Sequence, residues 1–88
     1  MAAPRYIADP EDQVRIVALD GLSVIFHAPS GMTHIVAPPT PEILTALRKG
    51  PADAAELLRR LRAHYEIEGD DVTARLDELE AAGLVRRA

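Results

Sequence analysis

The chain has 88 residues, a formal charge of −4, 48% hydrophobic residues and no cysteine. That length predicts one domain with a modest core rather than an elaborate enclosed active site, and the lack of cysteine excludes a disulfide framework, a thiolate metal centre and a thiol nucleophile. The acidic balance opposes a general affinity for phosphate backbones.

The first segment, "MAAPRYIADPEDQ" (Met1 to Gln13), carries Pro4, Pro10 and several charges without a sustained period. It reads as an N-terminal arm, loose or docking late, ahead of a domain over residues 14–88. It lacks the run of about 7–15 apolar residues of a signal peptide, and no later segment approaches the roughly 18 needed to span a membrane. A cytoplasmic location with no membrane partner is therefore expected.

"VRIVAL" then reads as a short β-branched strand, followed by Asp20-Gly21, the pair best suited to a two-residue hairpin turn. "LSVIFH" is the returning strand. In "APSG" Pro29 fixes φ and Gly31 accepts a left-handed conformation, and "MTHIV" follows as a third strand. Pairing about the second turn sets His27 opposite Met32 and Ile25 opposite His34. One face then carries Leu22, Val24, Phe26, Thr33 and Ile35 and is the expected core face. The other carries Ser23, Ile25, His27, Met32, His34 and Val36 and is expected to be partly open.

After the breaker "APPT", Thr40 is the expected N-cap of a first helix with Pro41 in its first turn and Ile43, Leu44 and Leu47 on its apolar stripe. Asp53 and Glu56 form a capping-box pattern that opens a second helix, running to Tyr65 with Leu57, Leu58 and Leu61 on one side and Arg59, Arg60 and Arg62 on the other. A third helix spans Asp70 or Asp71 to Ala82, with Val72, Leu76 and Leu79 inward and Gly83 as its C-terminal stop. The expected fold is α+β and winged helix-turn-helix-like: a three-stranded antiparallel meander followed by three α-helices.

Few residues invite chemistry. His27 and His34 share a sheet face, but zinc needs three or four ligands, so no metal site and no cofactor are expected. A triad could be assembled from Ser23 or Ser30 with a histidine and an aspartate, yet no strained elbow or Gly-rich oxyanion turn accompanies either serine, and no enzyme activity is expected. A winged helix would offer its third helix to DNA, but here that helix carries Asp70, Asp71, Asp77, Glu78 and Glu80 against Arg75. "MTHIV" is a different matter. In a sequential meander it is an edge, and neither charge nor proline blunts it. Such an edge beside the third helix suits an extended peptide that adds as a further strand, unless the N-terminal arm covers it.

The stretch "LDGLSVIFHAPSGMTHIVAPPTPEILTALRKGPADAAELLRRL", a short acidic helix and a terminal "GLV" together resemble the PqqD-like peptide chaperones, most closely the branch linked to the HPr-rel-A system. The resemblance covers Val14 to Val85. It implies a precursor-peptide recognition element for ribosomally synthesised, post-translationally modified peptides (RiPPs): a non-enzymatic chaperone that holds a leader peptide and presents it to a modifying enzyme of the same pathway. Carried onto this sequence, the peptide-binding residues are Met32, Thr33, His34, Ile35 and Val36 on the strand and Arg75, Glu78, Leu79 and Ala82 on the facing helix. The alternative is a winged-helix nucleic-acid-binding regulator using Arg59, Arg60 and Arg62. A homodimer through the edge strand or the arm stays open.

Overall fold

The computed structural model describes residues 3–10 and 12–88. In chain order the elements are β1 (Arg5–Ala8), β2 (Val14–Leu19), β3 (Leu22–His27), β4 (Met32–Val36), α1 (Thr40–Leu47), β5 (Ala52–Asp53), α2 (Ala54–Arg62), α3 (Gly69–Ala81) and β6 (Val85–Arg87). They form an α+β fold with two antiparallel sheets of three strands each, in the orders β2-β3-β4 and β5-β1-β6.

The first sheet is the expected meander. Its β2–β3 turn places Asp20 at φ 33° and Gly21 at φ 84°, the positive values that a tight hairpin turn demands. The β3–β4 register pairs Ile25 with His34 and His27 with Met32, as the constant index sum requires. The burial of its two faces, however, is the reverse of expectation. Ser23, Ile25 and His27 are buried, joined on that face by Val14 and half-buried Ile16, His34 and Val36. Leu22, Phe26 and Ile35 point to solvent. Counting apolar residues favours the wrong face because both faces are apolar. His27, buried on that face, is satisfied there by Asp9 and Ser30, which lie outside the strands.

The second sheet was not legible as such. The arm residues Arg5–Ala8 form its central strand, with Tyr6 opposite Ala52 on one side and Arg87 on the other. β1 therefore sits between β5 and β6 of its own chain and leaves β4 uncovered. Tyr6 and Ala52 are buried in the common core, and the Arg87 guanidinium lies 6.0 Å from the Tyr6 ring centre.

The helix ends differ from expectation at two places: α2 stops at Arg62 rather than Tyr65, and the N-cap of α1 is not Thr40. Asp53 caps α2 by accepting the Glu56 N–H at 2.8 Å, but α1 is capped at Pro39 with no side-chain hydrogen bond, and Thr40 is instead the first, buried helical residue. At the end of α3, Gly83 adopts φ 79°; its N–H reaches the Glu80 carbonyl at 3.1 Å and the Leu84 N–H reaches that of Leu79 at 2.9 Å. This paired arrangement satisfies carbonyls that a helix end otherwise leaves orphaned, and it turns Leu84 into the core as the chain enters β6.

Ile25, Ile43, Leu44, Leu57, Val72, Leu76 and Leu84 are the largest fully buried side chains, so one core is shared by the meander and all three helices. Each such side chain contributes about 1.5–3 kcal/mol on leaving water. Arginines tie the periphery. Arg60 donates to the carbonyls of Ala46 (3.2 Å) and Gly50 (2.9 Å) at the end of α1, Arg62 donates to Ile67 (3.1 Å), and Arg48 donates to the Val14 carbonyl at the start of β2.

Candidate functional site

β4 is an edge strand. Its five residues lie between the turn at Gly31 and the Ala37-Pro38 break, so the edge has a defined length. Pro38 has no N–H to continue it. From Thr33 on the strand alternates, Thr33 and Ile35 exposed and His34 and Val36 half-buried, which leaves one row of side chains free; Met32, at the start of the inner row, is exposed as well. The buried Nε2 of His34 has no hydrogen-bond partner among the described residues.

Where β4 ends, a cleft of about 340 Å³ opens between the strand and α3. Ile35, Val36, Ala37, Pro38 and Thr40 form one wall, and Arg75 and Glu78 of α3 the other. Four residues named from the sequence therefore meet there. Met32 and Thr33 lie toward the other end of the strand, lining a shallower hollow with Arg15 and Phe26. Leu79 is buried in the core, and Ala82 is exposed at the C-cap of α3. Ala37, Pro38 and Thr40 were not picked out from the sequence, although the breaker "APPT" marks the place where a strand must turn away and leave room.

The electrostatics of the cleft are local. Arg75 and Glu78 are bonded to each other at 2.6 Å, one helical turn apart and partly exposed. A pair in that setting is worth little to stability and is open to exchange for an incoming charge. Elsewhere on α3 Glu80 pairs with Arg87 at 2.9 Å, and that contact raises the arginine's pKa above its ordinary value.

The hairpin that carries β4 is anchored by a polar chain. His27 Nε2 lies 2.8 Å from Asp9 Oδ2 and its Nδ1 lies 2.7 Å from Ser30 Oγ; Asp9 Oδ1 accepts from Arg86 at 3.0 Å. A carboxylate can only accept, so Nε2 carries the proton. With the ring neutral, Nδ1 accepts the Ser30 hydroxyl proton, leaving Ser30 Oγ to accept the Met32 N–H at 3.2 Å. Serine, histidine and aspartate thus do line up, but around a ring only 5% exposed and a hydroxyl held in a turn. The chain ties the β3–β4 turn to the segment after β1 and to β6. Sequence reading could not find it, because Asp9 lies in a segment without period.

No family model matches the chain, and no curated protein matches it. Among solved structures its fold is similar to that of TbiB1 in complex with the TbiA(beta) leader peptide: TM-score 0.62, 19% sequence identity, over 91% of this chain and 94% of that one. Among the described residues no helix is long and apolar enough to cross a membrane.

Proposed function

We propose that the protein is a leader-peptide-binding module of RiPP biosynthesis. It binds the leader of a precursor peptide as an added strand on β4, beside α3, and presents the attached core peptide to a modifying enzyme, performing no chemistry itself. One observation carries this: an unblunted five-residue edge opens onto a cleft, in a fold similar to that of a protein solved with a leader peptide bound. The resemblance to the PqqD-like chaperones points the same way.

In this mechanism Met32–Val36 supply backbone hydrogen bonds, Ile35 and Val36 receive apolar side chains, and Arg75 and Glu78 sort charge at the cleft. Micromolar affinity requires about −8 kcal/mol net, within reach of a short ladder plus two or three apolar anchors. Holding the leader raises the effective concentration of the core peptide at the enzyme, which acts without any catalytic group on the module. The nucleic-acid alternative is weakened, since Arg60 and Arg62 are engaged with backbone carbonyls at the ends of helices.

The test is an NMR titration of labelled protein with a leader peptide from a neighbouring precursor gene. Shifts centred on Met32–Val36 and Arg75–Ala82 are expected. Shifts along Val14–Leu19 instead would move the site to the opposite edge, and shifts at Arg59–Arg62 on adding duplex DNA, with a steep salt dependence, would favour the alternative.

A further inference from the structure

Among the described residues nothing covers the outer face of the first sheet. By register, Val17 and Leu19 of β2, Leu22, Val24 and Phe26 of β3 and Ile35 of β4 share it. Leu19 is 55% exposed, Leu22 47%, Phe26 46% and Ile35 72%. Isolated apolar residues at a surface are ordinary, but a contiguous group of six marks an interaction surface. We propose that this face is the interface of a symmetric homodimer, in which two copies stack their sheets face to face.

The face supplies its own complement. Val17, Val24 and Ile35 form one row across the three strands. A two-fold axis along that row, in the plane between the sheets, lays each strand over its own copy in reverse. The row containing Arg15 and Phe26 then falls over the partner row containing Leu19 and Leu22. Phe26 packs on Leu22, and Arg15 arrives beside the partner's Asp20, which follows Leu19 at the turn. Arg15 and Asp20 are five residues apart, about 17 Å along an extended chain, so they sit at opposite ends of the face and both charge pairs form at once. No other charged residue lies on this face of the three strands, and an unrelated partner would have to bring the matching pattern itself.

Size sets the strength. Three strands about 4.8 Å apart and five residues long cover a footprint of about 14 by 17 Å, well below the roughly 800 Å² per partner of standard stable interfaces. The dimer is therefore weak and exchanging. The free edge of β4 lies at the side of the stack, and the proposal does not rest on the peptide-binding reading.

Sedimentation velocity of the full chain, from about 10 μM to about 1 mM, should show the average mass rising from one chain toward two, as expected for an interface this small. Phe26→Lys should keep the protein at one chain throughout, and Arg15→Glu should weaken association several-fold at low salt and less at high salt. Intermolecular NOEs between Phe26 and Leu22 in an isotopically mixed sample of the unaltered chain give a readout independent of any variant. A constant mass of one chain up to the highest concentration overturns the proposal and leaves the face for a partner of different sequence. Association without Phe26–Leu22 NOEs, or undiminished in folded Phe26→Lys, overturns it equally.

Discussion

Removing the Asp9 carboxylate tests the polar chain beneath the β3–β4 hairpin. In Asp9→Ala the Nε2–H of His27, on a side chain 4% exposed, loses its acceptor at 2.8 Å. A buried donor left unpaired costs about 1–3 kcal/mol. The Arg86 contact adds less than about 1 kcal/mol, because its guanidinium is 66% exposed. Relief of the carboxylate's own desolvation offsets part of this, giving an expected loss of about 2 kcal/mol. A domain of this size has about 4–13 kcal/mol in total, and each kcal/mol moves its melting temperature by about 4–8 °C, so the midpoint should fall by about 8–16 °C. Thermal unfolding followed by circular dichroism measures it. Arg86→Ala, which spares the His27 bond, should fall by less than about 8 °C. A melt of Asp9→Ala within about 3 °C of the unaltered protein would refute the assignment of that carboxylate as the partner of His27.

Gly83→Ala meets no atom within 4 Å of the new Cβ, so its cost is that of φ 79° alone, about 1–2 kcal/mol, readable from a urea midpoint. Arg60→Ala removes the side-chain donor from the Gly50 carbonyl and one of two donors from that of Ala46, and should cost about 1–3 kcal/mol in the same assay, while Arg59→Ala, at an exposed position, should stay within about 0.5 kcal/mol. Arg75→Ala should lower stability by less than about 1 kcal/mol yet change leader affinity measurably by calorimetry, with an effect that shrinks as salt rises; equal affinities at low salt would remove Arg75 from the site.

The elements legible in the sequence were those whose cause is local. Asp20-Gly21 dictates its turn, and the index sum across "APSG" dictates which residues of β3 and β4 face each other. Asp53 and Gly83 mark helix ends through bonds to residues only a few positions away. The second sheet has no such signature. β1, β5 and β6 are four, two and three residues long, too short to show a period, and they meet only when both chain ends close on the α1–α2 connection. Their pairing is a product of the tertiary fold. Thr40 illustrates the opposite error, a good capping residue drawn one position inside the helix by burial. Of the residues of the candidate site, the edge position of Met32–Val36 follows from the strand order, and Leu79, on the inward stripe of α3 by its spacing, is buried in the core.

The reversed faces of the meander connect these findings. Hydrophobicity alone would bury Leu22, Phe26 and Ile35 and expose His27. Instead the chain buries a histidine whose two nitrogens are bonded to Ser30 in the turn and Asp9 near the N-terminus, and leaves the more apolar face outside. Burying a polar ring as completely as that of His27 costs least when both nitrogens are paired, and once paired it fixes orientation in a way that aliphatic packing does not. Here the paired ring holds the hairpin that ends in β4, with Arg48 holding the start of β2 from the helical side. In the proposed function, an edge strand fixed by these contacts would need less ordering on peptide addition, so more of the interaction energy would appear as affinity. The same choice places six apolar side chains on the outer face, the surface proposed above for a second copy.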